Sequence, residues 1–423
     1  MATDAAHDQS GASPYQTGVL VLGRALHAPW NEGIRVINRD FARAASAARA
    51  VSTISLTHED FRQRTDESGA IEHVYTRAGY GLAGIYGGLP GLYRRARRTL
   101  ATHPIGVAHL FGLSLALAPW FRWRKVRVVS HVMATAVEKK YGILDLVSRR
   151  ILDRWIDAYA VTSPALLPSL RGHGVPASKI VVLPPAVDTT VYCPGDQAAA
   201  RQKLGVQPAD RIVLYIGKLS PQRFPVQFVR DALLMAGERL GAPMRVFVFG
   251  AGAALDGSKY TAEYTQQNSD AVARALQGIP NADIQVVCTN LTAEEKVCWL
   301  QAADVMLLPF LAAESVEPPL TLLEAMACGA APLVTPVANQ SALVESGRNG
   351  FVCATSQELA TALAFVFGAR ADGTLRAIQA AARATILHRH SMAAVAQAAM
   401  RLWDRLEPAS APLRQRPNLY PIE

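Results

Sequence analysis

The run ESVEPPLTLLEAMACGAAPLVTP, residues 314–336, sets two carboxylates, Glu317 and Glu324, on either side of a Pro-Pro step. A proline fits the first turn of a helix, where its missing N–H costs nothing. A helix is therefore expected from about Leu320 through Met326, ended by Gly329. Its first amides, those of Leu320, Thr321 and Leu322, have no partner one turn back and make an anion site. Carboxylates accept hydrogen bonds from hydroxyls. The spacing thus predicts a phosphate at the helix start with hydroxyl-bearing rings on either side. Lys218 and Arg223, in GKLSPQR, offer two positive charges to a diphosphate. Taken singly, each feature has a plainer reading. Acidic residues stabilise helix starts, surface cations are solvated, and the Gly-rich run GAGAALDG can be a simple turn. His131, closing the run VRVVSH, reads about equally as structural and as a site residue. His109, Ser163 and Asp188 read as structural.

These residues need rigid elements to hold them. VLVLGR (19–24), AVSTISL, VAHLFG, VRVVSH and AYAVTS read as strands, with a helix over residues 34–50. Residues 180–196, IVVLPPAVDTTVYCPGD, break the rhythm with three prolines and read as a connector. The alternation restarts with RIVLYIGKL, RVFVFGAG, IQVVCTN, DVMLLPF and APLVTP, and a final amphipathic helix covers residues 390–406. Strand–helix alternation implies parallel, doubly wound sheets, whose ligands bind beyond the carboxyl ends of the strands. The expected division is a loose tail over residues 1–16, one α/β domain over 17–190 and a second over 191–388. The closing segment, 389–423, would return to the first domain.

Half of the 423 residues are apolar and 18% are charged, as in a globular chain with a large core. Five scattered cysteines form no CxxC pair, which argues against a disulfide framework or structural zinc and fits a reducing cytosol. No secretory leader is legible at the N-terminus. Residues 1–195 carry 23 Lys+Arg against 14 Asp+Glu, whereas residues 196–423 carry 20 against 20. The excess lies in YRRARR (93–98), FRWRKVR (121–127) and the pair Arg149-Arg150. Trp120, Phe121 and Trp123 beside the arginines suggest attraction to anionic lipid headgroups, with a solvated face as the alternative. No nucleic-acid-binding module is recognisable. The apolar run over residues 105–121 is short for a membrane span and reads as a buried strand-turn-helix.

The blocks YIGKLSPQR, VFVFGAG, LTAEEKVCWLQAADVMLLPF, VEPPLTLLEAMACGAAPLVTP and ESGRNGFV together resemble the nucleotide-sugar half of retaining GT-B glycosyltransferases of the family 4 type. PWNEG, VVSH, AYAVTSPA and LPPAVD resemble its first half more loosely. The resemblance implies a GT-B fold, two Rossmann-like doubly wound domains facing each other across a cleft. It implies a hexosyl donor linked to a nucleotide diphosphate (UDP or GDP) and no metal or other cofactor. Lys218 and Arg223 would neutralise the diphosphate, and Leu320, Thr321 and Leu322 would bind it at the helix start, with Gly217 and Gly250 lining the donor site. Glu324 would hold the ribose, Glu317 and His131 the donor sugar, and Asn281 to Asn290 would border the base. Gly33 would let the first loop approach phosphate and acceptor. Six residues separate Glu317 from Glu324 where the family usually has seven, including Phe-Gly. The acceptor implied is a glycan, glycolipid or small molecule, reached in the cytoplasm or peripherally on the inner face of a membrane. An epimerase of the same fold and a non-catalytic sugar-nucleotide-binding subunit remain alternatives.

Overall fold

The computed structural model describes residues 17–24, 33–57, 72–77, 87–133, 151, 153–252, 261–312, 317–337, 339–368 and 373–407. Residues 1–16, the PWNE part of the first loop, Arg149-Arg150, most of GAGAALDG, and the tail from 408 lie outside them.

The first sheet contains β1 (Gly18–Arg24), β2 (Val51–Thr57), β3 (Glu72–Arg77), β4 (Ile105–Phe111), β5 (Arg127–Val132), β6 (Ala158–Val161) and β7 (Ile180–Val182). The second contains β8 (Ile212–Gly217), β9 (Met244–Gly250), β10 (Ala282–Cys288), β11 (Val305–Leu308), β12 (Ala331–Val334) and β13 (Phe351–Val352). The orders are β3-β2-β1-β4-β5-β6-β7 and β10-β9-β8-β11-β12-β13, every pairing being parallel. In each sheet the chain moves outward from its first strand, then returns to that strand's other side. The order therefore reverses between β1 and β4 and between β8 and β11, and a crevice opens beyond the carboxyl ends of those pairs.

The helices are α1 (Gly33–Ser46), α2 (Leu89–Thr102), α3 (Ala118–Trp123), α4 (Leu167–Gly172), α5 (Gln197–Lys203) and α6 (Val226–Leu240). They continue with α7 (Ala262–Leu276), α8 (Ala293–Ala302), α9 (Leu320–Cys328), α10 (Ser356–Gly368), α11 (Thr374–Arg389) and α12 (Met392–Leu406). Central strands are apolar on both faces because helices cover both, and β4 is buried throughout. The 105–121 run is the expected buried strand-turn-helix: β4, a 3₁₀ turn and α3.

Alternation along the first sheet divides its core. Ala108, Leu110 and Val128 face α2 and α3. Val107, Phe111 and Val129 face α1 and α12, the latter supplying Val395, Ala399, Leu402 and Trp403. Glu407, just past α12, accepts from Thr17 Oγ1 (2.6 Å) and Arg49 Nη2 (3.0 Å), fixing the end of that helix on the first domain. Gly106 makes room for it, since a Cβ there would stand 1.8 Å from Glu407 Oε2.

Three strands were not legible as such. β3 begins and ends on charged residues at a sheet edge, where polar side chains are tolerated. β13 is two residues long. β7 is a three-residue edge strand in the segment expected to be only connector.

Candidate active site

The reversal between β8 and β11 sets the loops after these strands side by side. The Leu311 amide donates to the Gln222 carbonyl (2.7 Å), and the Arg223 guanidinium lies over the Phe310 ring, 5.6 Å from its centroid. Arg223 and Lys218 are both half-buried. The Lys218 carbonyl accepts from Tyr215 Oη (2.8 Å), and a Cβ at Gly217 would collide with that hydroxyl. Gly250 ends β9 against Leu219 and Ser269, each 2.7 Å from where its Cβ would be.

The β11 loop leads into Glu317 and α9. Glu317 is buried at the seam between domains. Its amide donates to the Met133 carbonyl (3.1 Å), beyond β5, and its carbonyl accepts from Thr162 Oγ1 (2.6 Å), beyond β6. Its carboxylate accepts from Asn339 Nδ2, in the loop after β12. Pro319 caps α9, and Gly329, with φ of 84°, terminates it in the left-handed conformation that favours glycine. The Leu320 and Thr321 amides have no partner within the helix. Leu320 packs against apolar residues of both domains.

Glu324, one turn in, is buried. Lys296 of α8 reaches both its oxygens (3.1 and 3.3 Å). Tyr192 lies close to it, and burial followed by the nearby Glu324 charge pushes the phenol far above its ordinary value. Asp40 of α1 approaches from the first domain. Burial raises its pKa, Arg39 opposes that through a 2.7 Å ion pair, and Glu324 adds to the rise.

His131 is buried at the end of β5, its ring stacked on Phe111 at 4.4 Å and its Nδ1 2.8 Å from His109 Nε2. Gly33 is the exposed first residue of α1. The described residues contain no group of three or more His, Cys, Asp or Glu able to hold a metal ion.

The model for glycosyltransferase family 4 matches residues 32–191, and that for glycosyl transferases group 1 matches residues 210–368. The chain belongs to the family 4, group 1 glycosyltransferases. Its first and second halves are thus matched separately. D-inositol 3-phosphate glycosyltransferase of Pseudarthrobacter chlorophenolicus is 29% identical over 206 residues, 48% of this chain and 45% of that protein. The protein so named from Nocardia farcinica is 28% identical over 55% of this chain and 51% of its own length. The chain spans about half the length of the curated relatives it matches. Among solved structures, sucrose-phosphate synthase of Thermosynechococcus elongatus superposes with a TM-score of 0.71 at 17% identity, over 93% of this chain and all of that one. Anabaena HepE in complex with UDP gives 0.69 at 17% identity, over 92% and all of that chain. These two likenesses support the GT-B fold of this family 4 chain.

Several expectations change. The Leu322 amide is not available at the helix start: it donates to the Pro319 carbonyl (3.1 Å), because the first turn tightens into a 3₁₀ bond. Neither proline enters the helix, as Pro319 is its cap. Asn281 lies at the amino end of β10, bonded to the Gly237 carbonyl (3.2 Å), on the far side from the crevice. Asn290, at the other end, accepts from the Gly252 amide (2.9 Å). Ser163 caps a short turn and Asp188 accepts from Thr190. His109 is fully buried but also bonds His131. Lys296, Tyr192, Thr162 and Asn339 were missed altogether. Asn339 itself sits at φ of 61°, a left-handed conformation that asparagine adopts more readily than most residues.

Proposed function

We propose that the protein transfers a hexosyl group from a nucleotide diphosphate sugar to an acceptor hydroxyl with retention of anomeric configuration. The observation that carries this reading is Glu317 pinned to both domains immediately before α9, with Arg223 stacked on Phe310 just after β11.

As the bond from the anomeric carbon to the diphosphate oxygen breaks, negative charge grows on the departing group. Lys218, Arg223 and the Leu320 and Thr321 amides are preorganised for that charge. Glu317 takes hydroxyls of the donor sugar, oriented by Asn339. Glu324, its direction set by Lys296, takes the ribose hydroxyls. The acceptor oxygen attacks from the face the diphosphate leaves, and its proton passes to the leaving phosphate oxygen. No side chain serves as nucleophile. Because cations and amides supply the counter-charge, EDTA is expected to leave turnover intact; strict dependence on added Mn²⁺ or Mg²⁺ would contradict this.

HepE has been solved holding UDP and UDP-glucose, which supports UDP as the first nucleotide to screen, with GDP the alternative. The test is nucleotide release on mixing a donor panel with candidate acceptors, followed by product mass. Release that depends on acceptor, with one hexosyl added to it, is expected. Epimerised donor without acceptor, or no release from any pair, overturns the reading.

The acceptor side is the basic first domain. Arg94, Arg95, Arg97 and Arg98 are exposed on α2, and Tyr93 meets Trp120 at 5.0 Å, so α2 and α3 share one surface. Trp123 is 72% exposed on it, beside Arg124 and Lys125. No helix among the described residues is long and apolar enough to cross a membrane. An exposed aromatic among arginines suits the headgroup region of an anionic bilayer, and favours a lipid-linked acceptor. The name shared by the curated relatives points instead to a phosphorylated polyol. Flotation with anionic vesicles, but not neutral ones, is expected for the first; equal flotation favours the second.

A further inference from the structure

Three rings form one hydrogen-bonded chain through the packed face between β4, β5, α1 and α12. Trp403 Nε1 donates to His109 Nδ1 (3.4 Å), and His109 Nε2 lies 2.8 Å from His131 Nδ1. An indole N–H only donates. His109 therefore accepts at Nδ1 and carries its proton on Nε2. That proton faces His131 Nδ1, which must accept, so a neutral His131 carries its own proton on Nε2. Burial keeps both rings neutral, holding His131 down to about 3 and His109 well below its ordinary value, with His131 adding to the latter.

The rings are also held mechanically. Phe111 stacks on His131 at an interplanar angle of 17°, and Phe41 meets the edges of His131 (5.5 Å) and Trp403 (6.2 Å). Neither imidazole can turn over without unpacking this cluster. Among the described residues, His131 Nε2 has no hydrogen-bond partner although the residue is only 5% exposed. Buried donors are nearly always satisfied in native proteins, so an orphan of this kind marks a place where a ligand supplies the acceptor. β5 ends one residue later, and Met133 beyond it bonds Glu317, so the orphan N–H sits near the seam of the proposed site.

We propose that Trp403 and His109 are positioning residues that lock His131 as its Nε2–H tautomer, a neutral hydrogen-bond donor to a hydroxyl or phosphoryl oxygen of the nucleotide sugar rather than a base. The identity of the ligand rests on the transfer reading above, but the tautomer does not. The relay gives α12, nearly 300 residues away in sequence, a direct hold on the proton that faces substrate. His131 is the residue that touches the ligand, while His109 and Trp403 act through it.

The test is a long-range proton–nitrogen correlation spectrum of the full chain, with His131 assigned by the signals missing from His131→Gln. His109 and His131 are both expected in the Nε2–H form. Trp403→Phe keeps an aromatic ring but removes the donor, and should abolish that pattern at His109 and His131. The same variant should raise KM for the nucleotide sugar about three- to tenfold with a smaller change in kcat, as for one neutral hydrogen bond. His109→Gln, whose amide can accept from Trp403 and donate to His131, should keep KM near the wild-type value; His109→Leu should raise it as Trp403→Phe does. That pair keeps the test decisive if Trp403→Phe folds poorly. An Nδ1–H or charged His131 in the wild type overturns the relay, as does an unchanged His131 in both Trp403→Phe and His109→Leu. An Nε2–H His131 in a protein that binds no nucleotide sugar overturns the assigned ligand and the transfer reading together, and leaves the relay standing.

Discussion

Thr162 Oγ1, just past β6 in the first domain, donates to the Glu317 carbonyl, just before α9 in the second, at 2.6 Å. With the Glu317 amide bonded to Met133, the loop entering α9 is aligned by the first domain rather than by its own sheet alone. Thr162→Val keeps the shape and removes the donor, leaving a buried carbonyl without it. A stability loss of about 1–3 kcal/mol is expected. Because misplacing a reactive centre by an ångström can cost a hundredfold, kcat should fall more than KM rises. Urea melts and steady-state kinetics read the two effects; wild-type values in both would show that the seam does not position Glu317.

Arg223 is half-buried and stacked on Phe310. Arg223→Ala should leave a folded protein, since the stacking is worth only about 0.5–1 kcal/mol. Transfer should fall by at least ~10²-fold, the scale of removing one group that stabilises developing negative charge. Arg223→Lys should recover part of it, because charge returns without the planar fork. A folded Arg223→Ala enzyme with normal turnover would remove this residue from the diphosphate site.

Lys296 and Glu324 make an unequal pair, with side-chain exposures of 22% and 5%. Lys296→Met leaves a buried carboxylate without its cation and should destabilise the fold by about 1–3 kcal/mol. Glu324→Gln leaves a cation that can turn toward solvent, so the fold should lose less. Its effect should be on the donor, as a rise in KM of tenfold or more for the intact nucleotide sugar. Thermal melts and donor titrations separate the two. Equal destabilisation by both, with donor KM unmoved, would make the pair structural.

The difference between what the sequence revealed and what it hid follows from range. Apolar runs such as IVLYIG and MRVFVFG mark strands by composition alone, and the order of strands and turns places Lys218, Arg223, Glu317 and Glu324 at carboxyl ends. The contacts that orient these groups are not periodic. Lys296 reaches Glu324 across 28 residues, Thr162 reaches Glu317 across 155 and Trp403 reaches His109 across 294. Local pattern carries information over one or two turns, so none of these partners could be named from it. The Leu322 amide failed for the opposite reason. A single 3₁₀ bond inside the first turn decides whether it is available, and that detail is finer than a helix boundary drawn from sequence.

The buried histidines set the acid stability. His131 is held down to about 3 and His390 to about 4, both chiefly by burial, and His109 is lowered well below its ordinary value. In the unfolded chain all three return to about 6.5. Between these limits the unfolded state binds protons that the folded state refuses, so stability is full above pH ~6.5 and declines as pH falls toward the folded values. Each such group contributes about 1.4 kcal/mol per pH unit at most. Asp40, whose folded value is raised, works the other way and favours the fold as it protonates. Three groups against one leave a net loss on acidification, visible as a falling Tm between pH 7 and 4.5. His390 is the cleanest probe, being buried with its Nδ1 2.9 Å from the Pro185 carbonyl. Asn at that position keeps an N–H near the same place and cannot titrate. His390→Asn should therefore flatten the pH dependence by about one proton while changing neutral stability little. A slope identical to wild type would mean that His390 protonates in the folded state as readily as in the unfolded one.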